Sequence, residues 1–150
     1  MVVNIDDRPS ADLAIQGSDL VFMTATELAA AICSGAVSAT EVVEAYLAQI
    51  AAQNPDLCAI VTLDAERARQ QAALADAALE RGEIWGPLHG VPITVKDVFE
   101  TAGLRTTSSY GMLRNYVPHQ DATIVQRLRA VGAIILGKTN LPERAVDIQT

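Results

Sequence analysis

The stretch GPLHGVPITVKD, residues 86–97, decides the fold of this chain. Its first half is dense in glycine and proline and cannot form a regular helix. The β-branched run ITV, residues 93–95, then predicts a strand that leads into Lys96. Because the preceding residues read as helices, this strand indicates an α/β protein rather than a small helical module.

Residues 121–140, DATIVQRLRAVGAIILGKTN, predict a helix and then a second strand. Asp121 is expected to cap the helix, Gly132 to end it, and residues 133–136 to form the strand. A strand, a helix and a strand in this order predict a right-handed crossover and a partly parallel sheet. We therefore expect the second strand to lie parallel to the one that ends at Lys96, with the helices on one side of an incomplete sheet. The apolar stripe of the helix contains Ile124, Val125, Leu128 and Val131.

Helices are also predicted upstream of this region. Thr24 and Ser38 each precede a glutamate by three residues, which is the capping-box pattern of a helix start. The first of these helices should stop at Gly35 and the second at residues 54–55, Asn-Pro.

A short buried strand and a third helix should follow. Residues 58–63, CAIVTL, favour the strand. Asp64 is positioned to cap an Ala-rich helix that runs to about Arg81. Residues 1–22 are expected to be an irregular extension, and residues 23–150 to be the N-terminal portion of one domain.

Composition argues against several classes of function. The net charge is −7, and no cluster of Lys or Arg exists that would bind a phosphate backbone. The sequence contains no run of about 18 apolar residues, so no membrane span is expected. Asp6, Asp7 and Arg8 interrupt the place where a signal peptide would be apolar. We therefore expect neither nucleic acid nor membrane as a partner.

The cysteine pattern indicates a reducing compartment. Cys33 and Cys58 stand apart, and neither belongs to a C-x-x-C motif or lies near a histidine. We expect two buried free thiols, no metal or other cofactor, and a cytoplasmic location.

Lys96 is the main candidate for chemistry. A lysine that ends a buried strand is costly if it is charged and unpaired. One interpretation is an ordinary salt bridge to Asp97 or Asp121. The other is a lysine that the run 93–95 buries, so that its pKa falls and it can accept a proton. The second interpretation requires the Asp97 side chain to point away from the amine.

Other candidates have weaker support. His89 and His119 lie in Gly/Pro-containing loops, and no serine or cysteine stands at a spacing that indicates a nucleophile paired with either histidine. Trp85 is expected to be a packing anchor. Lys138 follows a glycine as in a phosphate-binding loop, but the apolar residues 133–136 occupy the positions that such a loop needs.

The chain resembles the amidase-signature family. Residues 86–97 match its G-P-L-x-G-x-P-x-x-x-K-D segment, and the resemblance continues through 103–109 (GLRTTSS), 121–128 (DATIVQRL) and 132–143 (GAIILGKTNLPE). The helical half, about residues 24–85, is also similar. The resemblance implies a partial amidase-signature fold, with N-terminal helices and part of a mixed, partly parallel sheet.

The resemblance also implies a mechanism for cleaving the C–N bond of a small-molecule amide. In this family a serine attacks the amide carbonyl, and a second serine relays its proton to and from a lysine. Backbone N–H groups hold the oxyanion, and water then releases the acid. Lys96 matches the lysine of this Ser–Ser–Lys triad.

One part of the family pattern does not occur here. The serines lie in a G-G-S-S-G-G-S-like stretch, whereas residues 106–109, TTSS, lack the flanking glycines and match a different segment. We therefore expect a truncated N-terminal fragment that is inactive alone. Two alternatives remain. One is an amidotransferase subunit that acts on a misacylated tRNA with partner subunits, and the other is a non-catalytic remnant or helical binding module.

Overall fold

The computed structural model describes residues 17–146. Helices and strands alternate irregularly along this part of the chain. The helices are α1 Gly17–Leu20, α2 Ala25–Cys33, α3 Ala39–Leu57, α4 Ala65–Glu80 and α5 Thr123–Ala130. The strands are β1 Ile60–Leu63, β2 Pro92–Lys96 and β3 Ile134–Thr139, and short 3-10 helices cover Gly111–Leu113 and Glu143–Ala145.

The strands form one mixed sheet in the order β1-β3-β2. β2 and β3 are parallel, with Lys96 opposite Thr139, and β1 runs antiparallel to β3. The predicted parallel pair is therefore confirmed, as is the mixed α/β class. β3 extends past the predicted end at Leu136, because β2 continues to pair with it as far as Thr139.

Both capping boxes are present. The backbone N–H of Glu27 donates to the Thr24 hydroxyl over 3.2 Å, and that of Glu41 donates to the Ser38 hydroxyl over 3.0 Å. In each case the glutamate carboxylate accepts the cap residue's own N–H. Gly35 adopts a φ of +73° just after α2, as expected for a residue that ends a helix.

The second predicted helix does not end at Asn54-Pro55. α3 continues through Pro55 to Leu57 and ends at Cys58, which adopts a left-handed φ of 49°. The Asn54 amide ties the end of α3 to the start of β1, since it accepts from the Ile60 N–H over 2.7 Å and donates to the Ile60 carbonyl over 3.0 Å. Cys58 is exposed rather than buried in a strand. The other thiol, Cys33, is only partly buried.

Two predicted N-caps are wrong because other groups take the carboxylates, an arginine of the same helix turn for Asp64 and groups farther along the chain for Asp121. Asp64 precedes α4 but makes no capping hydrogen bond, and it pairs with Arg67 at 3.2 Å. Asp121 accepts from the Ala102 N–H over 2.7 Å and pairs with Arg129 at 3.0 Å. The start of α5 therefore has no side-chain cap.

The core has two parts, one on each face of the sheet. On one face, α2, α3 and α4 pack against Ile134 and Leu136. On the other face, Val125 of α5 packs with Val95 and Ile135. Because α5 covers the second face, the expectation that all helices lie on one side is wrong. Of the predicted α5 stripe, Val125 is buried whereas Ile124 is 44% exposed.

Ordered structure begins before residue 23. Residues 1–16 of the predicted irregular extension lie outside the described residues, as do residues 147–150. Leu20 of α1, however, is only 2% exposed and belongs to the larger core cluster.

Candidate active site

Lys96 is the last residue of β2 and is exposed. Its neighbours Val95 and Asp97 are 4% and 1% exposed. Because side chains alternate along a strand, burial of these neighbours turns Lys96 to the other face. Within residues 17–146 its amine has no hydrogen bond and no ion pair. The expectation that the run 93–95 buries the amine is therefore wrong for the described chain.

The predicted salt bridges of Lys96 are also wrong. Asp97 pairs with Lys138, whose Nζ lies 3.4 Å from Asp97 Oδ1. Asp121 pairs with Arg129. Since both carboxylates are engaged elsewhere, the expectation that Asp97 points away from the Lys96 amine is confirmed.

Lys138 lies in the middle of a buried polar cluster. Its side chain is completely buried, and its Nζ donates to the Phe99 carbonyl and to the Thr106 hydroxyl, each over 2.7 Å. Burial lowers the pKa of Lys138 below its usual range, and the charge of Asp97 opposes this shift. Sequence reasoning considered Lys138 only as part of a phosphate loop. The missed signal was a lysine on an otherwise apolar strand, which needs a buried carboxylate.

The TTSS stretch folds around Asp97. Asp97 Oδ2 accepts from the Thr107 N–H over 2.9 Å and from the Thr107 hydroxyl over 2.6 Å. The Asp97 carbonyl accepts from the Ser108 N–H over 3.0 Å. Ser108 and Ser109 have left-handed φ values of 52° and 50°, and the Ser109 hydroxyl donates to the Leu141 carbonyl over 2.6 Å. The stretch thus brings Asp97 and the segment after β3 together.

His89 is a buried structural residue. Its Nδ1 accepts from the Trp85 N–H, and its Nε2 bonds the Ala75 carbonyl, each over 3.1 Å. The Trp85 ring meets the His89 ring edge-on at 5.1 Å, but Trp85 is 38% exposed, so the expected packing anchor is buried only in part. Both nitrogens of His89 are occupied by backbone groups, so the ring has no free nitrogen to act as a base. His119 is exposed, as expected of a loop residue.

The phosphate-loop interpretation fails in the structure as it does in the sequence, because residues 133–136 are buried and largely in β3. Across the described range 17–146, no three His, Cys, Asp or Glu side chains are grouped so that they could hold a metal ion. In the same range no helix has the length and apolar character to cross a membrane.

Lys96 therefore stands at the carboxyl end of a parallel pair of strands, and the adjacent carboxylate is held on the opposite face. Ligands of open α/β sheets bind beyond this end of the strands. An amine that has no partner in the described part of the chain is available to a substrate or to a hydroxyl group brought next to it.

Comparison with known proteins identifies the family. The Amidase family model matches residues 41–150. The chain is 47% identical over 133 residues to the A subunit of glutamyl-tRNA(Gln) amidotransferase from Acidothermus cellulolyticus, covering 89% of this chain and 26% of that protein. The chain thus spans about a quarter of the length of this curated relative.

Solved structures of amide-cleaving enzymes share the fold. Peptide amidase from Stenotrophomonas maltophilia superimposes with a TM-score of 0.76 at 37% identity, over 81% of this chain and 25% of that one. Fatty acid amide hydrolase superimposes with a TM-score of 0.79 at 26% identity, over 84% of this chain and 22% of that one. The family model, the relative and the structures agree with the motifs around Lys96, and the chain belongs to the amidase-signature family.

Proposed function

We propose that Lys96 is the general base of an enzyme that cleaves the C–N bond of a carboxylic amide. The observation that carries the proposal is the position of its amine, which is exposed at the carboxyl end of β2 without a carboxylate partner among residues 17–146. A lysine can accept a proton only as the neutral amine. A bound carboxylate would hold it in the charged form, and the structure directs Asp97 to Lys138 instead.

The chemistry follows from the family mechanism. A serine hydroxyl adds to the amide carbonyl while its proton passes through a second serine to the Lys96 amine. The amide C–N bond then breaks, the leaving nitrogen takes the proton back along the same path, and an acyl-serine ester remains. Residues 1–150 contain no Gly/Ser-rich stretch of the family type, so the intact enzyme must supply both serines and the groups that desolvate the amine. Residues 23–150 are accordingly proposed to be the N-terminal portion of one amidase domain.

We favour an amide-transferring subunit over a simple hydrolase, so that the amide nitrogen is passed to an acceptor after the C–N bond breaks. The supporting observation is that several curated relatives, 42–47% identical to this chain, are glutamyl-tRNA(Gln) amidotransferase A subunits. In this proposal the intact protein releases the amide nitrogen of a small-molecule donor for transfer to a misacylated tRNA. Because the chain carries a net charge of −7, we assign tRNA contact to partner subunits rather than to this portion, and we propose a cytoplasmic location.

A hydrolase that acts alone is the second candidate. It is supported by the similarity to the solved peptide amidase, at 37% identity. Here water takes the acyl group from the serine ester, and no partner subunit is needed.

The test of the base uses Lys96→Ala and Lys96→Arg in the intact protein, with pH–rate profiles and melting curves. Both variants should keep the fold and lose nearly all turnover, because guanidinium cannot give up its proton at working pH. Arg114→Ala, which removes an exposed cation that has no side-chain partner in the described part of the chain, is the control and should keep full activity. If Lys96→Arg retained more than about a tenth of wild-type turnover, Lys96 would serve as a positive charge and not as a base.

Product analysis tests whether the amide nitrogen is transferred to a tRNA or simply released. The intact protein is assayed with glutamine and with simple amides, alone and together with the other amidotransferase subunits and glutamyl-tRNA(Gln). Transfer that requires the partner subunits would support the amidotransferase. Full turnover of simple amides by the protein alone, without transfer under any condition, would support the hydrolase.

A further inference from the structure

A single buried amine anchors the segment that follows Lys96. The three partners of Lys138 Nζ are the Phe99 carbonyl, the Thr106 hydroxyl and the Asp97 carboxylate. All three belong to residues 97–106, which leave β2 directly after Lys96. Two protons of the ammonium go to the Phe99 carbonyl and the Thr106 hydroxyl, and the Asp97 carboxylate is its ion-pair partner.

The Asp97 carboxylate is held from two sides, by Thr107 at one oxygen and by Lys138 at the other. Thr107 satisfies Oδ2 with two hydrogen bonds. Oδ1 is buried and, within the described chain, has no hydrogen-bond partner, so the ammonium 3.4 Å away is what compensates it. Without this cation the carboxylate would be buried and uncompensated, a costly state that favours turning toward another positive charge. Lys96 is the neighbouring residue.

We propose that Lys138 is a positioning residue for the Lys96 amine. By neutralising Asp97 and anchoring residues 97–106 on the opposite face of the sheet, it prevents Asp97 from pairing with Lys96. The inference rests on the proposed function, because it concerns Lys96 only in its role as the base.

The other charged groups around the site have their own partners or lie on the surface. Glu100 accepts from the Tyr116 hydroxyl over 2.7 Å, and Arg105 donates to the Val61 carbonyl over 3.0 Å. Three further ion pairs lie on the elements that pack around β3: Asp64 with Arg67, Glu44 with Arg69, and Asp121 with Arg129. Glu66 accepts from Gln70, and Arg144 stacks on Tyr110. Arg127 and Glu143 are exposed. Asp97 is therefore the carboxylate adjacent to Lys96 whose direction Lys138 controls.

The test compares Lys138→Met, Lys138→Met/Asp97→Asn and Thr107→Val in the intact enzyme. Lys138→Met should lower kcat at neutral pH by about tenfold or more with KM little changed, since the freed carboxylate would hold the Lys96 amine in its charged form. An amine held in its charged form by a carboxylate loses its proton only at higher pH, so the acidic limb of the kcat/KM profile should move up by about one pH unit. The double variant lacks the carboxylate, so its limb should return to the wild-type position.

Thr107→Val keeps the inference testable if Lys138→Met does not fold. It removes one hydrogen bond to Asp97 and leaves Lys138 in place, so the limb should shift in the same direction by a smaller amount. A purely structural role for Lys138 would lower the melting temperature and the active fraction but leave the limb unmoved. An unshifted limb in every folded variant, or a double variant whose limb stays shifted, would overturn the inference. Retained activity in Lys96→Ala would instead overturn the proposed function.

Discussion

The Asp76 carboxylate on α4 lies 2.6 Å from the Thr40 hydroxyl at the start of α3. The same carboxylate accepts the backbone N–H of Ala39 over 2.6 Å and that of Thr40 over 3.1 Å. The first N–H groups of a helix have no partner within the helix, and an anion placed there is favourable. α3 is thus capped twice, by Ser38 from its own chain segment and by Asp76 from the helix packed against it.

We expect Asp76→Ala to lower the free energy of unfolding by about 2 kcal/mol, because it leaves partly buried donors without an acceptor. Urea denaturation followed by circular dichroism measures the change. Glu80→Ala is the matched control, since it removes an exposed carboxylate from the same helix and should cost less than about 0.5 kcal/mol. Equal losses in the two variants would show that the contact with α3 contributes nothing.

The capping boxes predict a loss of stability in acid. The backbone N–H of Thr24 lowers the pKa of Glu27, and that of Ser38 lowers the pKa of Glu41, both below the usual 4.5. Since the folded-state pKa is the lower one, this stabilisation is complete above about pH 4.5 and is lost as the pH falls through the folded value. Melting temperatures between pH 7 and pH 3 should therefore fall less steeply in Glu27→Gln/Glu41→Gln than in the wild type. A Glu80→Gln control should keep the wild-type slope, and the prediction fails if the double variant keeps it too.

His89 should matter for stability and His119 should not. His89→Leu leaves the Trp85 N–H and the Ala75 carbonyl without their buried partner and should lower the free energy of unfolding by about 2–3 kcal/mol. His119→Leu alters an exposed loop position and should change it by less than about 0.5 kcal/mol. Thermal and urea unfolding of the two variants make the comparison. Similar stabilities for both would contradict the structural role of His89.

The features that the sequence predicted well depend on neighbours within one turn or one strand. Thr24 and Ser38 reach glutamates three residues ahead, so the pattern alone identifies both helix starts. The strand that ends at Lys96 and its parallel pairing with β3 follow from β-branched runs and from the strand–helix–strand order. Lys96 itself was singled out because its residue type and its motif are both visible in the chain.

Several predictions failed because a side chain or a helix end took an alternative that the simple capping or helix-stop pattern does not rank. Asp64 and Asp121 stand where caps are expected, but Arg67 and Arg129 take their carboxylates. α3 continues past Pro55, and Cys58, which caps its end, is exposed. The capping pattern names a possible cap but does not specify which of several nearby groups the carboxylate will bind.

The sequence by itself determined the starts of α2 and α3, the presence of the strands and the place of Lys96 at the end of β2, since these follow from short-range periodicity and capping chemistry. Only the tertiary structure decided which charges pair. It pairs Asp97, just after β2, with Lys138 on the neighbouring strand β3, and it brings Asp76 to the start of α3. It also leaves Lys96 exposed among the described residues. The physical reason is that a buried charge takes the partner that folding brings within reach, and the spacing of residues along the chain does not specify that partner.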